Sequence, residues 1–184
     1  MVKNEHNKNG TIYICYQGVG KSSTVNECDF FIDLESSNFK DENGYRTDDW
    51  YVYYVNLAFD LASQGYSVFI SSHDVVRKRV SYMKDEYYPN IDIYVVYPSV
   101  ELKYEWIERL ENRYNENPTK KNKVAYLNAK DRFFENIVEM KKDADDFGFG
   151  IVKINKINYS LIYELPLSDD NVSCQVDEYQ KMNN

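Results

Sequence analysis

Cys15-Tyr16-Gln17-Gly18-Val19-Gly20-Lys21-Ser22-Ser23 is the stretch on which the reading of this chain turns. It begins where a short β-branched and aromatic run, Thr11–Tyr16 (TIYICY), comes to an end. Two glycines within three residues let backbone N–H groups turn toward one point without Cβ clashes, and a helix start adds a favourable dipole. A lysine and a serine follow, as in the phosphate-cradling pattern GxxxxGK[ST]. On that pattern Gln17, Gly18, Val19, Gly20, Lys21, Ser22 and Ser23 hold nucleotide phosphates. Lys21 reaches the β- and γ-phosphates and the Ser22 hydroxyl ligates magnesium. One position departs: Cys15 stands where the first glycine belongs, although Cys is small and Gly18 restores part of the freedom. The competing reading is a plain glycine turn with an exposed lysine.

Working outward, three more apolar runs follow: Phe30–Leu34 (FFIDL), residues 66–70 (YSVFI) and Ile91–Tyr97 (IDIYVVY). Late strands are expected at Gly150–Ile157 and Tyr159–Leu165. Near-continuous apolar runs of this length suit strands buried on both faces of a parallel sheet. Helical patterns lie between them, at Asp49–Gln64, His73–Lys84, Val100–Asn115 and Thr119–Lys142. The last should bury Val124, Leu127, Phe134, Ile137, Val138 and Met140. Only Ser22–Cys28 separates the glycine loop from the second strand, room for two turns of helix at most. Strand–helix alternation predicts an α/β fold of three layers, with a mainly parallel five-stranded sheet flanked by helices. A single domain is expected over residues 11–167, between a flexible N-terminus (1–10) and a polar tail (168–184).

Composition narrows the function. The chain has 184 residues, a net charge of −8 and 18 tyrosines. Such acidity argues against nucleic acid as a partner, because phosphate-backbone affinity rests on dense Lys and Arg. It leaves room for a local phosphate site. Three scattered cysteines (Cys15, Cys28, Cys174) with no CxxC read as a reduced protein without a disulfide frame or zinc site. His6 and His73 are too few for most histidine metal sites. No apolar stretch has signal-peptide or membrane-span length, so a soluble cytoplasmic protein with no membrane partner is expected.

The order of four segments carries a family likeness: the glycine loop, DLESS (Asp33–Ser37), SSHDVVR (Ser71–Arg77) and VYPSVELKYEWIERLENR (Val96–Arg113). In that order the chain resembles P-loop nucleotide kinases of the adenylate kinase and deoxynucleoside monophosphate kinase group, and most of all the small kinase-like proteins that bacteriophages encode. The resemblance spans roughly residues 11 to 165. It implies ATP and Mg2+ as cofactors and transfer of a phosphoryl group to a nucleoside monophosphate, with deoxynucleotides among the candidate acceptors. It also implies host cytoplasm as the location if the chain is phage-encoded. Arg109 and Arg113, four apart on one helix face, would clamp the phosphates, and residues 114–123 would be a mobile lid. Asp33 and Glu35, at a strand's carboxyl end, would meet the acceptor or the magnesium water shell. Arg46 and Arg77 would bind the acceptor phosphate, and an aromatic of the Trp50–Tyr54 group could stack its base. After the third strand, where such enzymes place a magnesium-orienting acid, this chain has Ser71 and Ser72 with Asp74 displaced. Each of these residues also has a plainer reading as a cap, turn or solvated helix face. The alternative function is a catalytically degenerate nucleotide-binding or protein-interaction module, for instance one directed at a host protein; a homodimer is a further possibility.

Overall fold

In a computed structural model that describes residues 9–167, the apolar runs become five parallel strands: β1 (Thr11–Cys15), β2 (Phe31–Asp33), β3 (Ser67–Ser71), β4 (Asp92–Pro98) and β5 (Gly150–Ile154). Their order in the sheet is β2-β3-β1-β4-β5. The helices are α1 (Lys21–Glu27), α2 (Trp50–Ser63), α3 (Asp74–Glu86), α4 (Lys103–Glu116) and α5 (Lys120–Phe147). Right-handed crossovers send α1 over one face of the sheet and α2, α3 and α5 over the other. Packing agrees, since α3 lies against both α2 and α5, while α1 meets a 3-10 turn at Leu161–Tyr163. This is the three-layer α/β architecture expected from the sequence. His6 and Cys174 lie outside the described residues, as do most of the expected N-terminal segment and the whole polar tail. No described helix is long and apolar enough to cross a membrane.

The two faces of the sheet differ in chemistry. Parallel register places Tyr13 beside Phe69 on one side and Tyr94 on the other. Their rings lie 5.6 and 5.9 Å from that of Tyr13, forming an aromatic face. The Tyr13 hydroxyl reaches across this face to donate to the Pro166 carbonyl at 2.6 Å. Ile12, Ile14, Val68, Ile70, Ile93 and Val95, all buried, form the aliphatic face under the longer helices. Several tyrosines of this tyrosine-rich chain are therefore core.

Two expectations need correction. Tyr159–Leu165 is no strand: Leu161 and Ile162 are buried in the 3-10 turn, packing apolar mass near α1 instead of extending the sheet. In α5 the buried residues are Asn122, Ala125, Ala129, Phe133, Ile137, Met140 and Ala144, so Ile137 and Met140 face inward as expected, whereas Val124, Leu127, Phe134 and Val138 are exposed. Alanines on the inner face let this helix lie close to α4 and to the sheet, and the helix changes course at Arg132, whose φ/ψ (−132°, 26°) is non-helical. Cys15 is a free buried thiol.

Candidate phosphate-binding cleft

Strands β1, β2 and β3 end side by side in a parallel sheet, so the segments that follow them gather at one carboxyl edge. A cleft of about 1780 Å3 opens there, bordered by residues 15–23, 33–37 and 71–74, by α4 and by α5. It holds 11 of the chain's 22 Lys and Arg but only 8 of its 30 Asp and Glu. An acidic protein thus carries a locally basic cleft, a field that attracts an anionic ligand.

The glycine loop forms its floor. Gly18 and Gly20 have φ of +84° and +96°, left-handed conformations that a β-carbon resists. A β-carbon on Gly18 would also lie 2.9 Å from Leu110 Cδ2. Among the described residues, no acceptor takes the backbone N–H of any of residues 17–23; the first helical bond of α1 runs from the Thr24 N–H to the Gly20 carbonyl at 3.2 Å. A run of unpaired amides in a turn that leads into a helix is a concave donor surface suited to phosphate oxygens. The Cys15 thiol beneath the loop is fully enclosed, and burial pushes its pKa up, so it stays protonated.

Lys21 leaves the loop toward β2, and its Nζ lies 2.6 Å from Asp33 Oδ1, with the two side chains 18% and 12% exposed. Burial is the largest influence and pulls the lysine's pKa down, but the charge and hydrogen bond of Asp33, with smaller contributions from its other neighbours, together hold it above the ordinary value. Glu35 bridges to Lys121 at the start of α5, 2.6 Å away. Burial works to raise the Glu35 pKa, yet the Lys121 hydrogen bond and the charges of Lys21 and Lys121 bring it below the usual carboxylate range. Asp33 and Glu35 thus stand among the cations that would meet phosphate.

Arg109 and Arg113 both line the cleft from α4. The Arg113 Nε is buried and has no hydrogen-bond partner among the described residues. Burial, together with the neighbouring Arg109 charge, lowers its pKa, with Glu35 opposing. Two guanidinium groups close enough to repel are stabilised when an anion comes between them. Arg46, from the loop before α2, lies 4.0 Å over the Trp50 ring and donates to the Ser36 carbonyl and hydroxyl at 3.0 and 2.9 Å. Its Nε is likewise buried without a partner. Trp50 is covered by Arg46 and Tyr54 is buried, its hydroxyl donating to the Leu34 carbonyl and accepting from the Ser71 N–H. None of the Trp50–Tyr54 aromatics lines the cleft, so the stacking role considered for them is not what they do here.

Arg77 reaches the cleft wall but is committed elsewhere: its Nε donates to Asp143 Oδ2 on α5 at 2.6 Å and its Nη1 to the Ser72 carbonyl. Residues 114–123 are mostly helical. Only 117–119 lie between α4 and α5, and Thr119 caps α5 by accepting from the Asn122 N–H at 3.2 Å. For magnesium, Ser22 lies at the loop's end and Asp33 lines the same cleft, while Asp74 begins α3. No cluster of three or more His, Cys, Asp or Glu suited to a metal occurs among the described residues. A hydroxyl and one carboxylate, completed by substrate phosphates and water, fit the way Mg2+ is usually held.

Sequence reasoning missed two contributors, Trp106 and Tyr159, and the bond that Gln17 itself makes. Trp106 Nε1 donates to the Gln17 carbonyl at 3.0 Å, Tyr159 Oη to the Val19 carbonyl at 2.8 Å, and Gln17 Nε2 to the Ala125 carbonyl at 2.8 Å. Trp106 lies inside the fourth segment quoted above and Tyr159 opens a run that reads as a strand; neither carries a local signal.

No protein-family model matches this chain, and no curated protein matches it. A solved structure from the molecular and structural characterization of the PezAT chromosomal toxin-antitoxin system of the human pathogen Streptococcus pneumoniae is similar at 18% identity and a TM-score of 0.46. The match covers 96% of this chain and 87% of that one. This is a distant likeness in the course of the backbone.

Proposed function

We propose that this protein binds ATP with Mg2+ at residues 17–23 and passes the γ-phosphoryl group to a nucleoside monophosphate held in the same cleft. The observation that carries the reading is the run of unpaired loop amides, ending at Lys21, on the floor of a basic cleft. Phosphoryl transfer asks of a protein mainly alignment and positive charge around the moving group. The loop amides and Lys21 hold the donor's β- and γ-phosphates. Arg109 and Arg113 neutralise charge on the group in transit, and Arg46 meets the acceptor phosphate, with Arg77 behind it on the same wall. Bound Mg2+ would supply charge neutralisation and a template for the phosphate oxygens, held through Ser22. When Lys21 turns to phosphate, Asp33 loses its partner and becomes free to accept a hydrogen bond from the acceptor or from metal-bound water. A second reading, nucleotide binding without transfer, draws on the Lys21–Asp33 ion pair and on Cys15 in the first glycine position. The two separate in one assay: ADP release from ATP-Mg against a panel of nucleoside monophosphates and deoxynucleotides, for wild type and Lys21→Ala. Turnover in wild type that Lys21→Ala abolishes supports transfer. Saturable binding without ADP release against every acceptor overturns it in favour of the second reading.

A further inference from the structure

Two aromatic side chains that this reading does not use bond to carbonyls of the glycine loop, Trp106 outside the cleft and Tyr159 at its wall. Trp106, fully buried on α4, donates from Nε1 to the Gln17 carbonyl, and Tyr159, just beyond β5, donates from Oη to the Val19 carbonyl. The two rings stack on each other, 17° from parallel with centroids 6.4 Å apart. Every described peptide bond is trans, and in a trans peptide the carbonyl and the next N–H point in opposite directions. Tying down the carbonyls of residues 17 and 19 therefore turns the N–H groups of Gly18 and Gly20 away from Trp106 and Tyr159. Those are the two residues whose positive φ makes the turn, and neither N–H has an acceptor among the described residues. The Arg109 guanidinium lies over the same pair of rings, 5.3 Å from the Trp106 centroid and 5.4 Å from that of Tyr159.

We propose that Trp106 and Tyr159 are positioning residues: a two-pronged clamp that presets the Gly18 and Gly20 amides for a polyphosphate and seats Arg109 beside them. The proposal rests on the reading of residues 17–23 as a phosphate site. Preorganised donors bind an anion more tightly than donors that must first be ordered, because the ordering cost is met in folding. A role in packing alone would make the two hydrogen bonds matter for stability and not for affinity.

The test is titration of ATP-Mg, and separately of inorganic pyrophosphate with Mg2+, into the full chain. Tyr159→Phe removes one prong and keeps the ring; Trp106→Phe removes the other. Tyr126→Phe is the matched control, because the Tyr126 hydroxyl donates at 2.8 Å to Glu111 across the α4–α5 pair but does not line the cleft. One hydrogen bond of ordinary strength sets the scale, so Tyr159→Phe should weaken both ligands about 3- to 10-fold. Tyr126→Phe should leave both affinities unchanged at a similar loss of stability. In nitrogen-15 spectra of the free protein, Tyr159→Phe should shift the Gly18 and Gly20 amide signals. Equal affinities for wild type and Tyr159→Phe overturn the clamp and leave the phosphate site standing. If Trp106→Phe does not fold, Tyr159→Phe decides alone. No binding of either ligand to wild type overturns the clamp and the phosphate site together.

Discussion

Replacing glycine by alanine at Gly18, Gly20 and Gly44 in turn separates three effects that a single substitution would merge. All three have a left-handed backbone, with φ of +84°, +96° and +81°. A β-carbon in that conformation costs about 1–2 kcal/mol. At Gly44 a new β-carbon meets nothing within 4 Å, so only that backbone cost applies. At Gly20 the nearest atom, Leu161 Cβ, is an ordinary 3.8 Å away, and stability should fall by the same amount. At Gly18 the new atom comes within 2.9 Å of Leu110 Cδ2 and 3.3 Å of Trp106 Nε1, both on a packed and buried helix face. Overpacking of this kind adds about 1–3 kcal/mol. For a domain of this size each kcal/mol lowers Tm by about 2–4 °C. Gly18→Ala should therefore melt several degrees below the other two, measured by circular dichroism, with urea midpoints giving the same ranking. Titration of ATP-Mg adds the functional axis: Gly18→Ala and Gly20→Ala lose affinity, and Gly44→Ala does not. Equal stabilities for Gly18→Ala and Gly44→Ala would refute the close approach of the loop to α4. Unchanged affinity in Gly20→Ala would refute the amide cradle.

Breaking the Arg77–Asp143 bridge, which ties α3 to α5 at 5% and 16% side-chain exposure, should cost about 3 kcal/mol or more, read by urea denaturation of Arg77→Ala. By contrast the Glu35–Lys121 pair is largely exposed on the lysine side, so Lys121→Ala should change stability by less than about 1 kcal/mol in the same assay while altering ATP-Mg affinity. His73 makes stability depend on pH. Burial, and then the Arg46 charge, hold its pKa below the ordinary 6.5, so folding favours the neutral ring. That contribution is fully present above pH 6.5 and is lost as pH falls through the lower folded value. Urea midpoints taken downward from pH 6.5 should therefore fall less steeply for His73→Gln than for wild type; identical slopes would remove His73 from the account.

The sheet was legible because its strands are buried on both faces, which leaves continuous apolar runs that few other structures produce. The loop was legible because positive φ demands glycine at particular positions, and Gly18 and Gly20 occupy two of them. The phase of α5 was legible only at Ile137 and Met140, for a physical reason: much of its inner face is Ala125, Ala129 and Ala144, which gain by letting elements approach and carry little hydrophobic weight in a pattern. Tyr159 shows a different limit. In sequence it belongs to an aromatic run that reads as a strand, while its role depends on a carbonyl 140 residues away. For the arginines, sequence could nominate Arg46, Arg77, Arg109 and Arg113, but only the fold separates Arg77, already bonded to Asp143 and Ser72, from Arg113, whose Nε has no partner among the described residues. Lys21 and Asp33 were both nominated, and their mutual pairing was not foreseeable from a separation of 12 residues across a strand edge.

Calorimetric titration of ATP-Mg into the full chain, beside Lys21→Ala confirmed folded by circular dichroism, bears most directly on the central claim that residues 17–23 hold nucleotide phosphates. The account predicts saturable one-site binding to wild type that weakens at least about tenfold in the variant, since a charge-assisted bond contributes about 1.5–3 kcal/mol. The contrary result is an absence of binding to wild type, or an affinity that Lys21→Ala leaves unchanged.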